Sequence, residues 1–296
     1  MDCGVGDGIE HQNGLGILAP ARQRLPVVLA SPHSGRDYPD DFLAATRLDP
    51  HTLRKSEDSY VDEIFGHGPR SGAPLLKAMF PRALLDTNRE AFELDPEMFQ
   101  DLLPAYVNTR SPRVAAGLGT IAKVVAHGQE IYRGKLRFAE ALARVDRFYY
   151  PYHTALRMLV DDTLERFGYC LLVDCHSMPS NGGTGERHRN GRRVDFVLGD
   201  CYGRACNPTV TDTIEQWLSD QGYIVNRNTP YAGGFTTRHY GRPRAGVHSI
   251  QIEINRSIYM DESHIKRKPY IGKLAGQMGA LVERLGSIDE AALKRR

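Results

Sequence analysis

The stretch LPVVLASPHSG, residues 25–35, is an apolar run that breaks into a short polar turn carrying His33. A run of this length bounded by proline and glycine reads as a strand buried on both faces, as in a parallel sheet. A second stretch of the same design, CLLVDCHS at residues 170–177, ends in His176. Two strands of this kind lying side by side would deliver two imidazoles to one edge of the sheet. In open α/β sheets the carboxyl edge of the strands is where ligands bind.

Outward from these two runs, further strand-like segments recur at residues 73–80, 83–87, 194–198, 223–226 and 247–254. Helical patterns lie between most of them, at 40–48, 52–65, 96–103, 207–220 and 266–285. Such alternation predicts an α/β fold with a largely parallel sheet flanked by helices. Residues 135–167 repeat apolar positions at helical spacing, and Pro151 should kink or divide that helix. Residues 1–24 are polar and glycine-rich and read as a flexible arm, followed by one α/β hydrolase domain over residues 25–296.

Composition narrows the function. With 41% hydrophobic and 25% charged residues the chain is of ordinary globular composition. Its net charge of +2, from 38 basic and 36 acidic residues, is too balanced for a nucleic-acid footprint. The apolar runs are far shorter than the ~20 residues of a membrane span. The acidic, glycine-rich start lacks the pattern of an export signal, and five cysteines without CxxC pairing fit reduced thiols. The expected setting is cytoplasmic, with a small-molecule partner, no nucleic acid and no membrane.

His33 and His176, each closing a strand and each followed by serine, are candidate metal ligands, since neutral imidazole suits zinc and a catalytic zinc keeps three protein ligands and one open position. Asp174 is placed to orient a ligand histidine. The third ligand is Asp58 or Glu57, from SEDSYVD at 56–62; if this segment is helical, Val61 and Phe65 turn Asp58 inward with the apolar stripe. Glu253 alternates with Ile250, Ile252 and Ile254 and so leaves the core side of its strand, where it could serve as general base. The neighbouring YAGGFTTRHYG, residues 231–241, has the makeup of an active-site loop and offers Arg238 and His239. LDTNRE, residues 85–90, sets Asn88 beside Arg89, a pair suited to a carboxylate. The basic, glycine-rich segment 181–193 is a candidate substrate loop.

Together, SPHSG, SEDSYVD, LDTNRE, DCHSMP, YAGGFTTRHYG and IEINR, in this order over residues 25–262, resemble the N-formylglutamate amidohydrolase family. The resemblance implies a zinc-peptidase-like α/β fold with a mixed sheet between helices. It also implies hydrolysis of N-formyl-L-glutamate to formate and L-glutamate late in histidine breakdown. Through it Asn88 and Arg89, with Arg238 or Arg256, would hold the substrate carboxylates. Glu253 would be the base, and His239 would steady the oxyanion. Zinc, or another divalent ion, would sit on His33, Asp58 and His176. A deacylase or carboxypeptidase-like enzyme for another N-acyl amino acid, and a non-catalytic binding homologue, are the alternatives. No G-x-S-x-G elbow supports a serine hydrolase.

Overall fold

A computed structural model describes residues 8–12, 14–125, 128–180 and 193–294 of the chain. Its centre is an eight-stranded mixed sheet. The strands are β1 (Gly8–Gln12), β2 (Leu15–Ala19), β3 (Val27–Ser31), β4 (Leu75–Ala78), β7 (Cys170–Met178), β8 (Phe196–Gly199), β9 (Val225–Arg227) and β10 (Val247–Asn255); the short β5 (Val124–Val125) and β6 (Gln129–Glu130) pair apart from it. In space the order is β1-β2-β4-β3-β7-β10-β8-β9. The central four, β4, β3, β7 and β10, run parallel, while β2 pairs antiparallel with β1 and β4, and β8 pairs antiparallel with β10 but parallel with β9. The expected mixed, largely parallel sheet between helices is therefore present.

Strand periodicity divides the core in two. On β3, Val27 and Leu29 face a cluster with Leu171, Val173, Ile250 and Ile252, while Val28 and Ala30 face another with Leu172, Tyr152 and Leu156. The first layer is closed by helices Pro208–Asp220 and Ile271–Gly286, which contribute Ile214, Leu218, Leu274 and Met278. The second is closed by helix Tyr150–Phe167. This helix follows a wider π-type turn at Val145–Tyr149, so the division foreseen at Pro151 falls just ahead of it. No helix among the described residues is long and apolar enough to cross a membrane.

Three expectations are corrected here. The supposed arm over residues 1–24 carries β1 and β2, a hairpin that extends the sheet beside β4, with Leu15 buried. The Asn13-Gly14 dipeptide between two apolar-containing segments is a hairpin signal. The helix expected over 52–65 is two short helices, Pro50–Arg54 and Val61–Ile64, because the chain turns at Tyr60, whose φ is 70°. The strand expected over 83–87 is a turn instead, since its backbone pairs with loops and not with the sheet.

Candidate active site

The site forms where β3, β7 and β10 leave the sheet. β7 and β10 pair in register, with Asp174 opposite Gln251 and His176 opposite Glu253. Alternation sends Leu171, Val173, Cys175, Ile250, Ile252 and Ile254 into one core layer, so Asp174, His176, Gln251 and Glu253 share the other face. Because both faces of these central strands are covered, all nine residues of β10 are buried. Glu253 is thus 7% exposed. It turns away from the apolar layer, as expected, but into a covered pocket and not toward the surface.

His33 follows β3 and lies with its ring centroid 4.8 Å from that of His176. Both rings present Nδ1 to one carboxylate oxygen: Asp58 Oδ2 is 3.3 Å from His33 Nδ1 and 3.0 Å from His176 Nδ1. Asp58 reaches this point from the loop between the two short helices, where its backbone N–H donates to the His33 carbonyl and the Ser34 hydroxyl donates to its own carbonyl. The helical stripe expected to aim it is absent; hydrogen bonds to the turn after β3 do that work. Glu57 points elsewhere, accepting from Tyr38, Arg54 and Ser59.

Each imidazole is backed on its far side. His33 Nε2 is 2.7 Å from Asp86 Oδ1, and His176 Nε2 is 2.9 Å from Asp174 Oδ1. Carboxylates behind both imidazoles fix ring orientation and raise basicity, the arrangement found around metal-ligating histidines. Burial works against a charged His176, yet Asp174, Asp58 and Glu253 together hold its pKa well above the usual value. Asp58 is likewise held well below the carboxylate range: burial opposes this, and contacts from His176 and His33 outweigh it. A field that favours a positive charge at this point, with two nitrogens and one oxygen within 4.8 Å of one another, could hold a metal ion.

The ring of ligand-like groups floors a cavity of about 620 Å³ whose lining includes Glu253, Arg82, Asn88, Arg89, Arg113 and Arg256. Glu253 accepts from Gln251 Nε2 at 2.7 Å, and Gln251 is itself held by the Gly234 N–H. Burial is the main cause that raises Glu253 to about 7. Gly234 is required as glycine, since a Cβ there would lie 2.4 Å from Asn88 Nδ2. Asn88 is fully engaged: it donates to Asp174 Oδ2, lies 3.0 Å from His176 Nε2 and accepts from the Thr236 N–H. Arg89 spends three of its donors on the Leu118 and Asn88 carbonyls and on Asp86. Arg256 does the same with Ser177, the Lys55 carbonyl and Asp58. A guanidinium has five N–H groups, so both keep donors for a ligand.

Two candidates are misplaced. Arg238 is exposed and lines a different cavity with Cys201 and Arg204. His239 stacks on Phe235 and meets Arg157 at 3.0 Å, outside the lining of the His33 cavity. Both sit on helix Phe235–Tyr240, which buries Thr236, Thr237 and Tyr240 and so turns Arg238 outward. Sequence reading passed over Arg82, which pairs with Asp86 at 2.8 Å and lies 3.8 Å from Asp58, and also Gln251 and Arg113. Gln251 was findable, standing two residues before Glu253 on the same strand face. The basic loop proposed for substrate falls, but for Arg193, on residues 181–192, outside the described residues.

Comparison with known proteins agrees with this geometry. Residues 25–260 match the sequence profile of the family described as N-formylglutamate amidohydrolase. The N-formylglutamate deformylase of Pseudomonas putida is 27% identical over 250 residues, covering 83% of this chain and 86% of the relative. That of Pseudomonas aeruginosa is 28% identical over 249 residues, with the same coverage of both chains. Among solved structures, the N-formylglutamate amidohydrolase of Ralstonia eutropha JMP134 superposes with a TM-score of 0.86 at 35% identity, over 93% of this chain and 98% of that one. A gene product of Agrobacterium tumefaciens, 19% identical with a TM-score of 0.64 over 90% of this chain and 94% of its own, shares the fold. With its strand-end histidines, their carboxylate backing and a profile match over most of its length, the chain belongs to the N-formylglutamate amidohydrolase family.

Proposed function

We propose that the protein is a cytoplasmic metal-dependent amidohydrolase that cleaves N-formyl-L-glutamate into formate and L-glutamate, the late step of histidine breakdown that the family implies. The observation that carries this reading is the convergence of His33 Nδ1, His176 Nδ1 and Asp58 Oδ2 at the floor of a pocket walled by Glu253. Two imidazoles and one carboxylate make a donor set suited to zinc, and manganese or iron would also accept it. When bound, such an ion polarises a carbonyl and lowers the pKa of water from ~16 toward ~7.

The chain's own groups then do the following. Glu253, whose pKa near 7 matches a general base at neutral pH, takes a proton from water as the water oxygen attacks the formyl carbon. It delivers that proton to the amine nitrogen as the C–N bond breaks, leaving formic acid and a neutral amine, and passage of the remaining acid proton to the amine gives formate and L-glutamate. Gln251 keeps the Glu253 carboxyl aimed at the pocket. Arg82, beside Asp58, supplies positive charge to the oxygen on which charge develops, the role that His239 is too far to fill. Arg89 offers its two remaining N–H groups to the substrate α-carboxylate. Asn88 holds Asp174 and thereby His176 in place.

The test is formate release from N-formyl-L-glutamate against its N-acetyl and N-succinyl analogues, with protein stripped by chelator and then restored with zinc. The reading predicts turnover of the formyl compound by restored protein only. Equal turnover after stripping would remove the metal from the scheme, and faster release of acetate or succinate would reassign the acyl group.

A further inference from the structure

We infer that Arg113 is the specificity-determining residue that binds the side-chain carboxylate of the substrate, making the enzyme selective for N-acyl derivatives of acidic amino acids. This deepens the proposed function and rests on that reading of the pocket.

Among the described residues four arginines line the cavity, and their charges are not compensated alike. Arg256 is paired with Asp58 at 3.0 Å, Arg82 with Asp86 at 2.8 Å and Arg89 with Asp86 at 3.3 Å. Arg113 has no carboxylate within 4.0 Å among the described residues; its one recorded hydrogen bond is from Nη1 to the Asn88 carbonyl at 3.2 Å. Arg89 Nη1 donates to that same carbonyl at 2.9 Å, so two guanidinium groups converge on one neutral acceptor. Asp86 meanwhile serves Arg82, Arg89 and His33 at once. On the wall Arg82 is thus shared between Asp86 and Asp58, Arg89 is paired with Asp86, and Arg113 has only the longer-range attraction of Asp86 and Glu93.

The like charges press on one another. Burial, with the push of Arg113 and Arg82 and against the pull of Asp86, brings Arg89 down to about 10. Burial, opposed by Asp86 and reinforced by Arg238 and Arg82, lowers Arg113 as well. A half-buried guanidinium with four spare N–H groups, facing a ligand cavity in a positive field, is completed by a planar bidentate anion, and a carboxylate has that shape. Position selects which carboxylate. Arg82 and Arg256 contact Asp58, at the ligand floor, directly, whereas Arg113 meets the floor only across Asn88, whose side chain touches His176. The amide and the α-carboxylate attached next to it occupy the near positions. The carboxylate at the end of the side chain reaches the farther one.

The anchor for Arg113 is short. It lies on helix Pro112–Ala115, capped by Ser111, and Val114 alone of that helix is buried, so replacing the guanidinium leaves the packing contact intact. Arg113→Gln keeps polarity and removes charge; Arg113→Lys keeps charge and removes the bidentate fork.

The experiment measures, on zinc-loaded protein, kcat/KM for N-formyl-L-glutamate and N-formyl-L-glutamine, together with calorimetric binding of L-glutamate and L-glutamine as non-reacting probes. The expected result is a wild-type preference for the acidic member in both assays. In Arg113→Gln that preference falls by on the order of 10–100-fold, the size of a lost charge-assisted hydrogen-bond pair. The loss should fall chiefly on KM, and Arg113→Lys should retain more of the preference than Arg113→Gln. Wild-type selectivity retained by Arg113→Gln in either assay overturns the inference, as does failure of the wild-type protein to bind L-glutamate better than L-glutamine. If instead the wild-type binds L-glutamate selectively through Arg113 but releases no formate, the specificity assignment stands and the proposed reaction falls.

Discussion

The floor and the wall of the pocket are built on opposite plans. On the floor, His33, Asp174 and His176 project from or just beyond β3 and β7, Asp58 and Asp86 reach them from loops, and each imidazole sits between two carboxylates while Asp58 also pairs with Arg256. On the wall, residues 82–113 turn Arg82, Arg89 and Arg113 into the cavity but only one carboxylate, Asp86, and Arg113 has no ion-pair partner within 4.0 Å among the described residues. A compensated floor is prepared to hold a fixed cation and a proton-transfer group. An undercompensated wall is prepared for an anion that comes and goes.

Breaking the floor should have the largest effects. His176→Ala removes one of three converging donors and the partner of Asp174, Asn88 and Asp58 at once. Activity should fall by on the order of 10⁴-fold or more, the worth of several kcal/mol of transition-state stabilisation, measured as kcat/KM beside metal content. Glu253→Gln should lose ~10²–10⁴-fold in kcat while keeping its metal, because it removes the proton acceptor and leaves the three donors alone. Retention of more than a tenth of kcat in that variant would assign the base elsewhere.

The pH profile sharpens the same contrast. Glu253 acts only when ionised, so protonation on lowering the pH through its pKa removes the base. Burial sets that value at about 7 without a metal, and a bound cation would draw it lower. The acidic limb of kcat/KM should therefore lie at or below pH 7 in the wild type, with unit slope, and the residual activity of Glu253→Gln should lack it. Asp174→Asn is expected to be milder, ~10–100-fold in metal affinity or activity, the usual cost of removing a carboxylate behind a ligand imidazole. Smallest of all should be His239→Ala, which stands outside the cavity with Arg157 and Phe235 as its partners. Its kcat/KM should remain within about twofold of wild type, the range for substitutions away from special features.

What was legible in the sequence follows the same division. An apolar run ending in a turn says where the run stops and which edge its last residue occupies, so His33, His176 and Asp174 could be placed from composition alone. Glu253 could be placed too, because strand alternation fixes a face; its burial could not, since that depends on which neighbours cover the strand. Asp58 was chosen for a helical stripe that does not exist, and it reaches the site through backbone bonds to the His33 turn. Loop content carried the least. Arg238 and His239 had the right chemistry, yet the burial of Thr236, Thr237 and Tyr240 turns their helix so that Arg238 faces outward. Arg82 and Asp86 pair locally, four residues apart, but their meeting with Asp58, His33 and the Arg113 helix depends on tertiary contacts that no local periodicity records. The strands of the opening hairpin were missed because five-residue segments with mixed polarity resemble a polar arm until an edge of sheet is present to receive them.

The most direct test of the floor is metal content per chain of purified wild-type protein and of Asp58→Asn after equilibration with limiting zinc. The account predicts about one ion per chain for the wild type and a marked fall for Asp58→Asn, whose amide no longer supplies the anionic oxygen that both imidazoles face. One ion per chain in both proteins, or none in the wild type, would contradict the assignment of His33, Asp58 and His176 as a metal centre.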